Sequence, residues 1–135
     1  MSLLLASTLT AASGQSFKAY LKAAEEALEK KDYNAALQHY AAALEFQPGH
    51  AGIQFQYAEM ARQFYAYELA AEYYEKVLKS KEAERFPMAS YRMGQVKKNL
   101  GHYDEAKAYF QAYLSGSGKQ EPFASQAKEE MQASG

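Results

Sequence analysis

Apolar and small residues recur along most of the chain at spacings of three and four residues, as in helices with one buried face. One such stripe consists of Tyr103, Ala106, Phe110 and Leu114. The stripes are interrupted at residues 47–49, 86–87 and 115–118, where Pro and Gly are concentrated. Because Pro cannot continue a helix and Gly tolerates a reversal of the chain, these breaks predict the ends of helices.

The same stripe occurs three times in the chain. Its upstream copies are Tyr67, Ala70, Tyr74 and Leu78, 36 residues earlier, and Tyr33, Ala36, Tyr40 and Leu44, another 34 residues back. Four positions that keep their register across three copies indicate a repeat protein. We therefore predict an all-α solenoid of three antiparallel helix-turn-helix repeats, at about residues 17–50, 51–86 and 87–118.

Two segments lie outside the repeats. Residues 1–15 carry no charged side chain, and the sequence leaves open whether they are the remnant of a secretory leader or a short separate helix. Ser16 is the predicted N-cap of the first repeat. At the other end, residues 119–135 are predicted to form a capping helix. Its apolar stripe consists of Phe123, Ala127 and Met131.

The junction between the second and third repeats is two residues longer than the first junction. Residues 79–85 are polar and compatible with a helix. We therefore predict a slightly longer second helix with a solvated charged end, followed by a helix that starts near Pro87.

Composition narrows the function classes. The 135 residues suit one domain, and 15 basic and 16 acidic side chains are intermingled, giving a net charge of −1. This balance argues against a nucleic-acid partner. Cysteine is absent, His39, His50 and His102 have no partner at a ligand-like spacing, and there is no phosphate-loop or nucleophile motif. We predict no metal site, no cofactor, no enzyme activity and no insertion of the repeats into a membrane.

The repeats resemble the tetratricopeptide repeat, a helix pair with small residues where the helices cross and a closing Pro. Gly94, Gly101 and Ala106 make the third repeat the best match, and Pro48 closes the first. Lys31 and Tyr65 depart from the pattern, because they replace the turn Gly. Since a left-handed backbone costs a non-Gly residue about 1 kcal/mol, we expect another geometry at these two turns.

The resemblance implies that partners bind a concave face formed by the first helix of each repeat. By register, this face contains Leu21, Lys22, Glu25, Phe55, Gln56, Glu59, Arg62, Tyr91, Arg92, Gln95 and Lys98. Phe55 and Tyr91 occupy equivalent positions, so we expect stacked aromatic platforms beside basic side chains. An extended peptide with an apolar side chain and a nearby carboxylate would suit this face. The alternative is that these residues are ordinary solvent-facing positions.

Some members of the family bind the tails of chaperones with a clamp of Lys, Asn and Arg side chains. The matching positions here hold Leu21, Glu25, Gln56, Met88 and Arg92, and only Arg92 fits. A chaperone-tail adaptor is therefore not expected.

Two functions remain as predictions. The first is a scaffold that binds a protein or peptide in the concave groove. The second is a self-association module whose N-terminal segment docks into its own or a neighbour's groove. The apolar start and the bare end at residues 133–135 suggest a fragment of a longer protein, and the compartment stays open between the cytoplasm and a bacterial periplasm or envelope.

Overall fold

The computed structural model describes residues 2–116 and 123–134, and all regular secondary structure in these residues is helical. Its α helices are α1 (Ser2–Glu29), α2 (Tyr33–Phe46), α3 (Ala51–Gln63), α4 (Tyr67–Leu78), α5 (Met88–Asn99), α6 (Tyr103–Ser115) and α7 (Ala124–Ser134). A short 3-10 helix at Ala83–Arg85 lies between α4 and α5. No helix within the described ranges combines the length and the apolar character needed to cross a membrane.

The helices pack as consecutive pairs. Helices α1 and α2, α3 and α4, and α5 and α6 form the three repeats, while α2 against α3 and α4 against α5 join one repeat to the next. Helix α7 packs against α6 at the end of the stack. Each helix pair buries its apolar faces only by stacking on a neighbour, as expected of a solenoid. The predicted all-α solenoid of three helix pairs with a C-terminal cap is confirmed.

Small residues set the distance between the two helices of each repeat. Ala24, Ala58 and Gly94 are fully or almost fully buried at equivalent positions. The third repeat is the tightest, since a Cβ added to Gly94 would lie 2.6 Å from a ring carbon of Phe110. Phe110 is itself completely buried, so neighbouring atoms leave its ring little room to move.

The three turns within the repeats share one left-handed geometry. The φ angle is 60° at Lys31, 61° at Tyr65 and 82° at Gly101. In each turn the following residue donates its backbone N–H to a carbonyl five residues back, at 2.8–2.9 Å. The expectation of a different geometry at Lys31 and Tyr65 is therefore wrong. The hydrogen bonds that close each helix offset a backbone cost of about 1 kcal/mol.

The N-terminal segment is not a separate element. Helix α1 runs without a break from Ser2 to Glu29, so Ser16 lies inside the helix and the predicted N-cap is wrong. Residues 14–16 contain no Pro, and a single Gly costs a helix only about 1 kcal/mol. The 28 residues of α1 make it about 42 Å long, twice the length of the 14-residue helix α2.

The second junction also differs from the prediction. Helix α4 ends at Leu78 instead of continuing through the charged residues. The Ser80 hydroxyl donates to the carbonyl of Val77 at 2.7 Å and accepts from the N–H of Glu82 at 3.3 Å, which supports a turn. The chain then brings Phe86 against Phe55, with ring centroids 5.3 Å apart. The two residues by which this junction exceeds the first one thus belong to a turn and the 3-10 helix, and not to a longer α4.

Candidate functional site

The first-helix faces of the second and third repeats adjoin. Arg92 on α5 reaches across to Glu59 on α3, where its Nε lies 3.5 Å from Oε1. By register the predicted face also includes Lys22 and Glu25 of the first repeat, which are exposed on α1 and make no side-chain hydrogen bond or ion pair with the rest of the described chain. We call this surface the groove. Its polar residues are Lys22, Glu25, Gln56, Glu59, Arg62, Arg92, Gln95 and Lys98.

A polar cluster lies at the centre of the groove, around the Glu59 carboxylate. Arg62 donates from Nη2 to Glu59 at 3.2 Å and from Nε to the Tyr74 hydroxyl at 3.3 Å. The Tyr74 hydroxyl in turn donates to Glu59 Oε1. Glu59, Arg62 and Arg92 are only 17%, 19% and 22% exposed at their side chains. The groove floor is therefore fixed by ionised groups that are largely shielded from water.

The cluster raises the pKa of two of its members, Tyr74 and Arg62. Burial, followed by the charge and hydrogen bond of Glu59, raises the pKa of Tyr74 far above its ordinary value. Burial alone would lower the pKa of Arg62, but the Glu59 carboxylate and the bond to Tyr74 more than offset that effect and raise it. Tyr74 thus remains a neutral donor, and two guanidinium groups share one carboxylate.

Both guanidinium groups have unused donors. Arg92 donates from Nη1 to Gln95 Oε1 at 2.9 Å, while its Nη2 has no hydrogen-bond partner among the described residues. Arg62 Nη1 likewise has none within that part of the chain. Arg92 Nε is also buried without a hydrogen-bond partner among these residues.

The predicted aromatic platforms do not form. Tyr91 is only 2% exposed, because its ring stacks on Phe123, just before α7, at a centroid distance of 5.1 Å. Its hydroxyl lies 3.5 Å from Glu130 of α7 and 3.2 Å from Gln95. The prediction of an exposed Tyr91 is wrong, because a residue at this register position is covered when the next helix packs beside it.

The other apolar residues of the predicted face are half-buried. Phe55 contacts Tyr74 edge-on at a centroid distance of 6.0 Å and also contacts Phe86. Leu21 packs on the core of the first repeat. The groove therefore offers one partly accessible aromatic side chain, Phe55, instead of a pair.

Sequence reasoning missed three contributors to this surface. Tyr74 was assigned to the core, yet its hydroxyl reaches Glu59 from the second helix of the repeat. Phe123 and Glu130 come from the cap, and Glu130 is half-buried. Arg92 lies over the Phe123 ring at 5.6 Å. For Tyr74, the only signal in the sequence was its hydroxyl group. Every core Tyr has such a hydroxyl, so the signal does not single out Tyr74.

No group of three or more His, Asp or Glu side chains converges on a metal-sized site in the residues that the structure describes. The largest titratable cluster is the one around Glu59, and two of its members are arginines. This composition favours binding of an anionic group over coordination of a cation.

Comparison with known families agrees with the packing. The family model of the tetratricopeptide repeat matches residues 17–50 and 89–115, which contain most of the first and third repeats. These two segments of the chain are similar to tetratricopeptide repeats. The second repeat is not part of the match, although α3 and α4 pack in the same way as the other pairs. No curated protein is significantly similar to the chain in sequence.

Solved tetratricopeptide-repeat structures share the fold. The domain of Arabidopsis OM64 aligns with a TM-score of 0.78 and 19% identity, covering 90% of this chain and 98% of that one. The TPR2B domain of yeast Sti1, in a complex with Hsp70 peptide, gives 0.73 and 15%, with 89% and 96% covered. SycD of Yersinia enterocolitica, with a peptide of the translocator YopD, gives 0.69 and 14%, with 90% of each chain covered. At these identities the likeness concerns the fold.

Proposed function

We propose that this chain is a protein-interaction scaffold whose groove binds an extended peptide segment bearing a carboxylate beside an apolar side chain. The observation that carries the proposal is the arrangement at the groove floor. Arg62 and Arg92 converge on the single carboxylate of Glu59, and each keeps one terminal nitrogen free of hydrogen bonds within the described chain. A second carboxylate would satisfy both.

The charge balance of the groove supports an anionic ligand. Two guanidinium groups against one carboxylate leave the floor with a net positive charge, and the half-buried residue Lys98 adds a positive charge to the last turn of α5. Because the side chains around Glu59 are mostly shielded from solvent, salt screens their field less than it screens an exposed pair. The carboxylate of Glu25 on α1 repels an anionic ligand. We therefore expect the ligand's carboxylate to bind towards the second and third repeats.

The apolar part of the ligand has one place to bind. Phe55 is half-buried beside Phe86, and both rings belong to the rigid core of the second repeat. A leucine-sized side chain on this surface would remove apolar area from water at little cost in ordering the protein. The covered position of Tyr91 makes the second repeat the centre of the groove.

Solved relatives of this fold bind peptides, which is consistent with the proposal. The Sti1 domain and SycD are each in a complex with a peptide. The present chain lacks four of the five clamp residues of chaperone-tail adaptors, so its ligand belongs to another sequence class. That it is not an enzyme stays a prediction.

The test is a binding assay on short capped peptides, read by fluorescence anisotropy. Peptides with a glutamate next to a leucine should bind more tightly than analogues in which glutamine replaces the glutamate. Lys98→Glu should weaken binding of the glutamate peptide by about fivefold, since it reverses a charge beside the site.

The matched control is Lys128→Glu, which reverses an exposed charge on α7 outside the groove. It changes the net charge of the protein by the same amount and should leave the affinity unaltered. Equal losses in the two variants would contradict the proposal, because they would show attraction to net charge without a site.

A second candidate function, self-association, is favoured by the length of α1. Its residues 2–15 extend about 21 Å beyond the length of α2, and they carry no charge. Because residues 2–29 form one continuous helix, this segment cannot fold back into its own groove without breaking the helix. The groove of a neighbouring copy of the chain is therefore the remaining docking site for this segment. Light scattering of the chain with and without residues 2–14 tests this candidate, and a concentration-independent monomer in both forms would eliminate it.

A further inference from the structure

Tyr65 lies at the turn between α3 and α4 in an unusual combination of exposure and backbone conformation. Its side chain is 77% exposed, the highest value among the large apolar residues of the described chain that are exposed. Its φ of 61° belongs to the left-handed region that favours glycine, and the equivalent turn of the third repeat has Gly101. Neither folding nor solubility benefits from a tyrosine at this position, whereas a ligand would benefit from an exposed ring.

The ring of Tyr65 forms one wall of an open cavity of about 420 Å³. The cavity is lined by Tyr65, Ala66, Tyr67, Glu68, Leu69 and Leu100, and we call this surface the turn edge. Tyr67, Leu69 and Leu100 pack on the central core, so they form a rigid floor. Tyr65 stands edge-to-face to Tyr67, with ring centroids 6.1 Å apart and an interplanar angle of 74°.

The charge of the turn edge is opposite to that of the groove. Glu68 is the only charged residue that lines the cavity, and it has no ion pair with any other described residue. Leu100 leads directly into Gly101, which lines a second open cavity of about 620 Å³ with Asp104 and Glu105. Glu105 is paired with Lys97 at 2.8 Å, so Asp104 is the carboxylate that adds negative charge there. Glu68 also lies in the first turn of α4. The helix dipole places about half a positive charge there, which offsets about half of the negative charge of Glu68. A net negative charge remains.

We propose that the turn edge binds an arginine side chain from an extended segment of a partner protein. A guanidinium group stacks on an exposed aromatic face and at the same time pairs with a carboxylate, and the turn edge presents both. On its other side, Tyr65 lines a smaller cavity of about 160 Å³ together with Arg62 and Gln95 of the groove. Arg62 repels a second guanidinium, so the arginine site lies on the Glu68 side of Tyr65. This inference is independent of the proposed function, because it concerns a different surface and a ligand of opposite charge.

The test uses a capped peptide containing Arg-Pro-Arg between Gly and Ser residues, titrated into the full chain labelled with nitrogen-15. Amide chemical shifts should change at residues 65–69 and at Leu100. A peptide with glutamate in place of both arginines should leave these signals unchanged at the same millimolar concentrations.

The decisive variant is Tyr65→Gly, because glycine suits the left-handed backbone and the protein stays folded. Loss of the ring should weaken binding of the arginine peptide about tenfold. Lys31→Gly is the matched control, since it makes the same change at the equivalent turn of the first repeat, away from the turn edge. It should leave the affinity unchanged, whereas Glu68→Gln should lower it about fivefold.

Three results would overturn the inference. The first is equal affinity of Tyr65→Gly and the unaltered chain for the arginine peptide. The second is the absence of any shift at residues 65–69 at millimolar peptide. The third is a set of shifts at these residues that depends on protein concentration without peptide, which would assign the turn edge to a second copy of the chain.

Discussion

The second and third repeats place aromatic side chains at the same register position and use them differently. Phe55 of the second repeat is half-buried, whereas Tyr91 of the third is 2% exposed beneath Phe123 and α7. The sequences of the two helices do not account for this difference. In a solenoid, the element stacked next to a helix decides whether a position faces solvent. The more open part of the groove therefore lies on the second repeat, and the third is partly covered by its own cap.

The second and third repeats also differ at the helix crossing and in a pair of residues that links their two helices. At the helix crossing, Ala58 of the second repeat corresponds to Gly94 of the third, which packs against Phe110. Lys97 and Glu105 of the third repeat form an ion pair at 2.8 Å. The equivalent residues of the second repeat, Ala61 and Leu69, are uncharged. The third repeat thus combines a tighter crossing with a polar link between its helices.

The largest expected effect comes from truncating the two aromatic residues. Tyr91→Ala removes a buried ring and its packing against Phe123, so the free energy of unfolding should fall by about 3–5 kcal/mol. Phe55→Ala removes a ring that is half in solvent, and we expect a loss of about 2 kcal/mol. Urea unfolding followed by circular dichroism gives both values. Similar losses would show that the cap does not bury the third repeat as described.

The helix crossing provides the next test. Gly94→Leu places a side chain where even a Cβ would meet the Phe110 ring, and overpacking should cost about 1–3 kcal/mol. Its counterpart in the second repeat, Ala58→Gly, loses only backbone restriction and a methyl group and should cost about 1 kcal/mol. An unchanged melting temperature for Gly94→Leu would contradict the tight crossing.

The turns should respond in the opposite direction. Tyr65→Gly relieves a left-handed backbone in the second repeat and should raise the free energy of unfolding by up to about 1 kcal/mol. Gly101→Ala introduces the same strain into the third repeat and should lower it by about 1 kcal/mol. Thermal unfolding of the pair measures both changes. If both variants shifted the melting temperature in the same direction, the shared geometry of the two turns would be in doubt.

The smallest effect concerns the ion pair of the third repeat. The hydrogen bond and charge of Lys97 lower the pKa of Glu105 below its usual value. A carboxyl group with a lowered folded-state pKa contributes stability above its unfolded pKa, and the contribution is lost as the pH falls through the folded value. Glu105→Gln should therefore lower the melting temperature slightly at pH 7 and not at all in strong acid. A difference that persists in strong acid would assign the effect to something other than charge.

Much of the fold followed from the spacing of apolar residues. The stripe through Tyr103, Ala106 and Phe110, with its two upstream copies, was sufficient to predict three helix pairs. The single apolar face of residues 123–131 predicted the cap. Gly94 was correctly assigned to a close helix crossing.

The rest depended on contacts that register does not encode. The burial of Tyr91 results from the position of Phe123, about 30 residues later, which no local pattern specifies. The left-handed turns at Lys31 and Tyr65 result from hydrogen bonds that outweigh residue preference. The end of α4 is set by Ser80 and by the burial of Phe86. The unused donors of Arg62 and Arg92 could not be predicted, because the sequence does not show that both side chains pair with the one carboxylate of Glu59.

The most direct test of the groove is amide chemical-shift mapping with the tightest-binding glutamate-leucine peptide. We expect the largest changes at Gln56, Arg62 and Lys98 and no change along the outer face of α7. In the Lys98→Glu variant, the same changes should need about fivefold more peptide. Changes confined to α7 or to the turn edge, with residues 55–62 unaffected, would contradict a peptide-binding groove centred on the second repeat.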